Sequence, residues 1–130
     1  KAGPYTLRQW RSSRIRGSVG YTDGCNSPFQ GLCADFGLDA CYHVARACYT
    51  EVDSPLFGAR PVAFVHDEII LEAPVSRAHD CAMSLKRIME RRARAWLPDI
   101  PVVAEPAIMT AWYKDAEGRF DDDGRLIPWK

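Results

Sequence analysis

Residues 62–71 are two apolar stretches, Val62-Ala63-Phe64-Val65 and Ile69-Ile70-Leu71, with three adjacent ionisable residues between them, His66, Asp67 and Glu68. A single buried strand cannot hold that sequence. An unpaired carboxylate among such side chains costs several kcal/mol unless a cation compensates it. A tight β-hairpin satisfies both demands. Pro61–Val65 and Glu68–Ala73 become its arms and stay in a core. The polar triplet becomes its tip, where a carboxylate can face a cleft. Within the second arm, alternation puts Ile69 and Leu71 opposite to Ile70 and Glu72.

Helical spacing flanks this hairpin on both sides. Phe29, Leu32, Cys33, Phe36, Ala40, Val44, Ala47 and Cys48 recur at that period, and Pro28 suits a first turn. A helix is therefore predicted over 28–50, followed by a loop at Asp53-Ser54-Pro55 and Gly58. After the hairpin, over 60–73, Ser76 is the expected N-cap of a second helix over 76–97. Its expected apolar stripe is Ala78, Ala82, Leu85, Met89, Ala93 and Trp96, with Arg87, Arg91 and Arg94 turned away and Pro98 as the stop. The region 101–130 reads as a strand, Pro101–Glu105, and a C-terminal tail. Within it, 107–113 is a short helix or an irregular stretch, and Asp121-Asp122-Asp123-Gly124 is a turn or a mobile acidic loop. Residues 1–27 read as a weakly structured basic segment. The sum is an α+β fold: a small antiparallel sheet built on the hairpin, with two long helices on one face. A three-stranded sheet with Phe64, Ile69 and Ile70 committed to burial reads as part of a larger one.

The 130 residues suit one modest domain, and no apolar run is long enough for a membrane span. The chain opens without a signal peptide or an initiator Met, so a fragment, a processed product or a trimmed chain is expected. Five cysteines, an odd number without a Cys-x-x-Cys pair, argue against a disulfide framework and against zinc. Cys33, Cys41 and Cys48 read as small apolar residues on or near one helix face. Formal net charge is zero, but it is unevenly spread. Residues 1–20 hold Lys1, Arg8, Arg11, Arg14 and Arg16 without an acid, whereas 115–123 hold Asp115, Glu117, Asp121, Asp122 and Asp123 against Arg119. Such a basic segment can meet phosphates, be a solvated arm or pair with the acidic tail.

Two segments carry a resemblance. Val65-His66-Asp67-Glu68 resembles motif C of the family-A DNA polymerases, the relatives of bacterial DNA polymerase I. Upstream, Asn26-Ser27-Pro28-Phe29-Gln30-Gly31-Leu32-Cys33-Ala34-Asp35 resembles that family's pattern N-x-P-x-Q-G-x-A-A-D. The two occur in family order, about one helix apart, and the resemblance runs from about Thr6 to Trp129. Pro61–Pro74 and Trp96–Ala116 look most like polymerases of bacteriophage type. Departures are Thr22, where relatives carry Arg, Leu38, where they carry Lys, and Cys33, where they carry Ala.

The resemblance implies two-metal nucleotidyl transfer, in which carboxylates clamp divalent ions that activate the primer 3′-hydroxyl and stabilise the leaving pyrophosphate. It implies Asp67 as a catalytic ligand of Mg2+, Glu68 as support for the metal site or primer end, and His66 beside the primer terminus. Asn26 and Gln30 fall on positions that reach the minor groove, where acceptors are nearly the same for every base pair. Their plainer roles are a helix cap and a surface amide. Gly31 would allow close approach, and Asp35 would take a local partner, an arginine from residues 8–16. Arg14 and Arg16 would supply phosphate contacts. No segment matches motif A, with the second metal-binding Asp, or the fingers helix of motif B. The implied protein is the C-terminal palm piece of a DNA-directed DNA polymerase, a fragment or subunit that is inactive alone. Its implied partners are primer–template DNA, a deoxynucleoside triphosphate and the remaining polymerase portion, in a bacterial or phage-infected cytoplasm and at no membrane. The magnesium site would be completed outside this chain. The alternative is a non-catalytic DNA-binding or assembly subunit derived from a palm. A phosphohydrolase using His66 and Asp67 is disfavoured, since His43 and His79 lie on predicted helices without matching motifs.

Overall fold

The computed structural model describes residues 3–129; Lys1 of the basic segment and Lys130 of the tail lie outside the described residues. The chain divides into two compact units, Lys1–Leu38 and Asp39–Lys130, and the division falls within a helix.

In the first unit, the described part of the basic segment, residues 3–27, is not the weakly structured arm that composition suggests. Strands β1 (Tyr5–Arg8) and β2 (Ile15–Val19) form an antiparallel hairpin, with Leu7 opposite Arg16 and Arg8 opposite Ile15. Helix α1 then runs Tyr21–Tyr49, so its start lies seven residues before Pro28, which sits inside it. Gly20 provides the first acceptor, taking the Gly24 N–H at 2.8 Å, and Asp23 complements the positive helix end. An internal proline removes one helical hydrogen bond and normally weakens or kinks a helix. Here the neighbouring turns are tied to the hairpin instead. Gln9 Nε2 donates to Pro28 O at 2.9 Å and Arg16 Nη1 to Ser27 Oγ at 2.6 Å. Periodicity cannot register polar ties of this kind. Phe29, expected on the apolar stripe, is 74% exposed.

In the second unit the expected hairpin forms with nearly the expected arms. Strands β3 (Arg60–Val65) and β4 (Glu68–Glu72) are antiparallel, with a register shift between Pro61 and Ala63. A 3₁₀ turn, Val75–Arg77, leads into helix α2 (Ala78–Trp96). Ser76 is therefore not the N-cap: Arg77 holds that position without a capping side-chain bond. One core joins Val44, Ala47 and Cys48 of α1, Leu56 and Ala59 of the following loop, and Cys81 and Ile88 of α2. Ile69, Leu71, Ala73 and Leu85 pack against it. Both helices thus meet the Ile69 and Leu71 face of the hairpin. The buried side of α2 is Cys81, Ser84, Ile88 and Ala93, rotated from the expected stripe, of which Ala93 alone is fully buried. Phe64, expected to be buried, stays exposed, as does Val62. Cys33, Cys41 and Cys48 do not share an environment, since Cys33 is exposed and Cys48 buried.

Pro101–Glu105 is not a strand. The ion pair Lys86–Glu90 on α2, at 2.8 Å, meets the Ala104 peptide on both sides. Lys86 Nζ donates to Ala104 O at 2.6 Å and Ala104 N–H donates to Glu90 at 3.1 Å. Side chains thus satisfy the groups a neighbouring strand would have satisfied. Further on, β5 (Ile108–Met109), β6 (Arg119–Phe120) and β7 (Leu126–Trp129) form a sheet of order β5-β7-β6, parallel between β5 and β7. The expected acidic turn links β6 to β7: Gly124 takes φ +73°, and Asp121 Oδ1 accepts the N–H groups of Asp123 and Arg125. The fold is α+β with small separate sheets rather than one three-stranded layer. No described helix is long and apolar enough to cross a membrane.

Candidate active site at the hairpin tip

β3 and β4 are closed by a two-residue turn, His66-Asp67, with Val65 opposite Glu68. Two-residue hairpins favour turns with positive φ at the first central position, because that matches the twist of the strands. His66 adopts φ +56° there. Glycine does so freely, whereas another residue carries a strain of about 1 kcal/mol or more. His66→Gly should therefore raise stability by about 0.5 kcal/mol, the relieved strain less the entropy glycine adds to the unfolded chain. Urea denaturation measures this; a loss of stability would mean that the imidazole itself holds the tip together.

His66, Asp67 and Glu68 are all exposed, and no described residue pairs with either carboxylate. Their oxygens are the hard donors that Mg2+ prefers. Among the described residues, however, no group of three or more His, Cys, Asp or Glu could hold a metal ion. The tip alone does not fit a magnesium site; it offers part of a ligand set. An open hollow of about 480 Å³ in the same unit is lined by Glu51, Asp53, Ser54, Ser84, Arg87, Ile88 and Arg91, none of them an expected site residue.

The other expected residues belong to the first unit. Asn26 and Gln30 are exposed and one turn apart on α1, hence on one side of it. Asn26 lies inside the helix and does not cap it. Arg14 and Arg16 both reach α1 while staying half-exposed. Arg14 Nη2 lies 2.9 Å from Asp35 Oδ1 and 3.2 Å from Gly31 O, and Arg16 Nη2 lies 3.9 Å from Asp23. Asp35 thus has the arginine partner its position suggested. It is buried, and its Oδ2 has no hydrogen-bond partner among the described residues. Gly31 serves a close approach within the chain: a Cβ there would collide with the Gln9 amide.

Sequence reasoning missed Gln9 and a junction around Asp39. Asp39 Oδ2 accepts from Arg92 Nε at 2.7 Å and Trp96 Nε1 at 2.9 Å, and His43 Nε2 lies 3.6 Å from Oδ1. Only the spacing of Arg92 and Trp96, one turn apart, hinted at it. Burial pushes the Cys41, Cys48 and Cys81 thiols up, which keeps them protonated and unreactive.

Two known proteins are similar to most of the chain. Over 90 residues, 68% of this chain, it is 29% identical to DNA polymerase I of Deinococcus radiodurans. Over 96 residues, 73% of the chain, it is 30% identical to DNA polymerase I of Aquifex aeolicus. The chain is related to bacterial DNA polymerase I. The matched stretches are 8% and 16% of those two proteins, so the chain spans a small part of either. No family model and no solved structure matches it.

Proposed function

We propose that this chain is the C-terminal palm segment of a family-A DNA polymerase of bacteriophage type, working as a fragment or subunit of a DNA-directed DNA polymerase. The observation that carries this reading is the tip itself. A two-residue turn holds Asp67 exposed at the end of strands anchored in a core, and its other residue, His66, sits at φ +56°. Residues held in sparsely populated backbone regions concentrate at functional sites. Similarity to bacterial DNA polymerase I supports the same reading.

In it, Asp67 is a ligand of a catalytic Mg2+, Glu68 supports the metal site or primer end, and His66 adjoins the primer terminus. Asn26 and Gln30 donate to minor-groove acceptors and so test duplex geometry without reading sequence. Arg14 and Arg16 use their exposed edges for phosphates. Asp67, together with carboxylates of the remaining portion, would hold Mg2+, which would supply positive charge for the primer hydroxyl and the leaving pyrophosphate of the deoxynucleoside triphosphate. The second carboxylate and the nucleotide-binding groups come from a portion carrying motif A and the fingers.

Primer extension tests this with the chain alone, with a separately produced portion carrying motif A and the fingers, and with the two mixed. Extension is expected from the mixture only. Incorporation by the chain alone would refute its dependence on the second portion. A mixture that binds primer–template without extending it would favour the non-catalytic DNA-binding or assembly subunit.

A further inference from the structure

The β1–β2 hairpin presents a face that none of these roles uses. Strand pairing sorts its side chains. Gln9, Arg14 and Arg16 all hydrogen-bond to α1 and define the inner face. Arg8 and Ile15, opposite each other, take the outer face by alternation. Ile15 is 69% exposed, and Trp10, at the start of the turn, is 61% exposed. The Arg11 guanidinium lies over the Trp10 ring, 4.7 Å from its centroid. Arg8 has no acidic partner among the described residues.

The turn is held in shape by its own backbone. Gln9 N–H donates to Arg14 O at 2.7 Å, Ser13 N–H to Gln9 O at 3.0 Å and Ser12 N–H to Trp10 O at 2.8 Å. The indole thus carries a cation over one ring face while most of the residue is exposed, with Arg8 nearby in sequence on the outer side. An exposed aromatic flanked by cations suits an unpaired nucleotide, whose base is free to stack and whose phosphates seek positive charge. Bases inside a duplex are already stacked on both faces.

We propose that this outer face binds single-stranded DNA, with an unpaired base stacked on the exposed Trp10 ring across from Arg11 and phosphates at Arg8 and Arg11. The inference rests on the reading that the chain works on primer–template DNA.

Fluorescence anisotropy of the 130-residue chain with labelled oligothymidylate and with a blunt duplex of equal length tests it, with circular dichroism confirming that each variant is folded. Trp10→Ala should weaken oligothymidylate binding about tenfold, while Trp10→Phe retains most of it. Arg8→Ala with Arg11→Ala should flatten the salt dependence of single-strand binding by about 1.4 in slope, as two lost phosphate contacts require. Duplex binding should respond instead to Asn26→Ala with Gln30→Ala. If Trp10→Ala binds oligothymidylate like the parent, this inference falls while the DNA reading stands. If the parent chain binds neither DNA at low salt, both fall.

Discussion

Asp67→Asn should abolish primer extension by the chain assembled with a portion carrying motif A and the fingers. The expected loss is at least about 10³-fold, because a metal ligand acts through several kcal/mol of charge stabilisation and each 1.36 kcal/mol is tenfold in rate. Asparagine keeps the shape and one oxygen donor of aspartate but not its charge. The change is confined to the site, since Asp67 is exposed and makes no ion pair with a described residue. Folding stability should therefore move by less than about 0.5 kcal/mol. Primer–template affinity should also hold, because Asn26, Gln30 and the arginines are untouched. Extension at the parental rate would remove Asp67 from the metal site. Loss of DNA binding together with activity would point to a disturbed hairpin. The parent and variant assayed side by side, for turnover and for affinity, separate these results.

The hairpin was legible because three charges in an apolar run admit one local solution, and the strands end within a residue or so of where that solution puts them. The exposed position of His66, Asp67 and Glu68 at its tip was legible for the same reason. What was hidden was held by polar contacts. β1 and β2 show no apolar alternation, since Gln9, Arg14 and Arg16 meet α1 through hydrogen bonds. Pro28 looks like a helix start because proline favours a first turn; nothing in spacing shows that Gly20 begins the helix earlier. Pro101–Glu105 has strand composition, but Lys86 and Glu90 satisfy its central peptide from a helix. The strain at His66 was equally invisible, because the turn needs positive φ there and histidine does not advertise it. Nor does periodicity reveal that Asn26 and Gln30 fall in one compact unit and Asp67 in the other.

The largest expected loss of stability is at Asp39→Ala. Its carboxylate receives Arg92 and Trp96 of α2 on one oxygen and adjoins His43 through the other, with a side chain 21% exposed. Truncation strands a partly buried guanidinium and an indole N–H together. Hydrogen bonds involving a charged group contribute about 1.5–3 kcal/mol each and do not add fully, so a loss of about 3 kcal/mol is expected in denaturant unfolding. Asp39→Asn keeps one acceptor and should lose roughly half of that. The acid limb carries a second signature. Burial alone would raise the Asp39 carboxyl; the bonds from Trp96 and Arg92, with the charges of Arg92 and His43, outweigh it and hold the group below its ordinary value. A carboxylate depressed by folding stabilises fully above its unfolded pKa, about 3.9 for Asp. That contribution disappears as pH falls through the lower folded value. Stability of the parent should therefore drop as pH falls below about 4, and the Asp39→Ala variant should show a shallower slope there. It should not be flat, because Glu90 is also held low, by the bond from Lys86 foremost, against opposing burial, then by the Ala104 N–H and the charges of Lys86 and Arg94. Identical acid slopes in parent and variant would mean that the Asp39 junction does not form in solution.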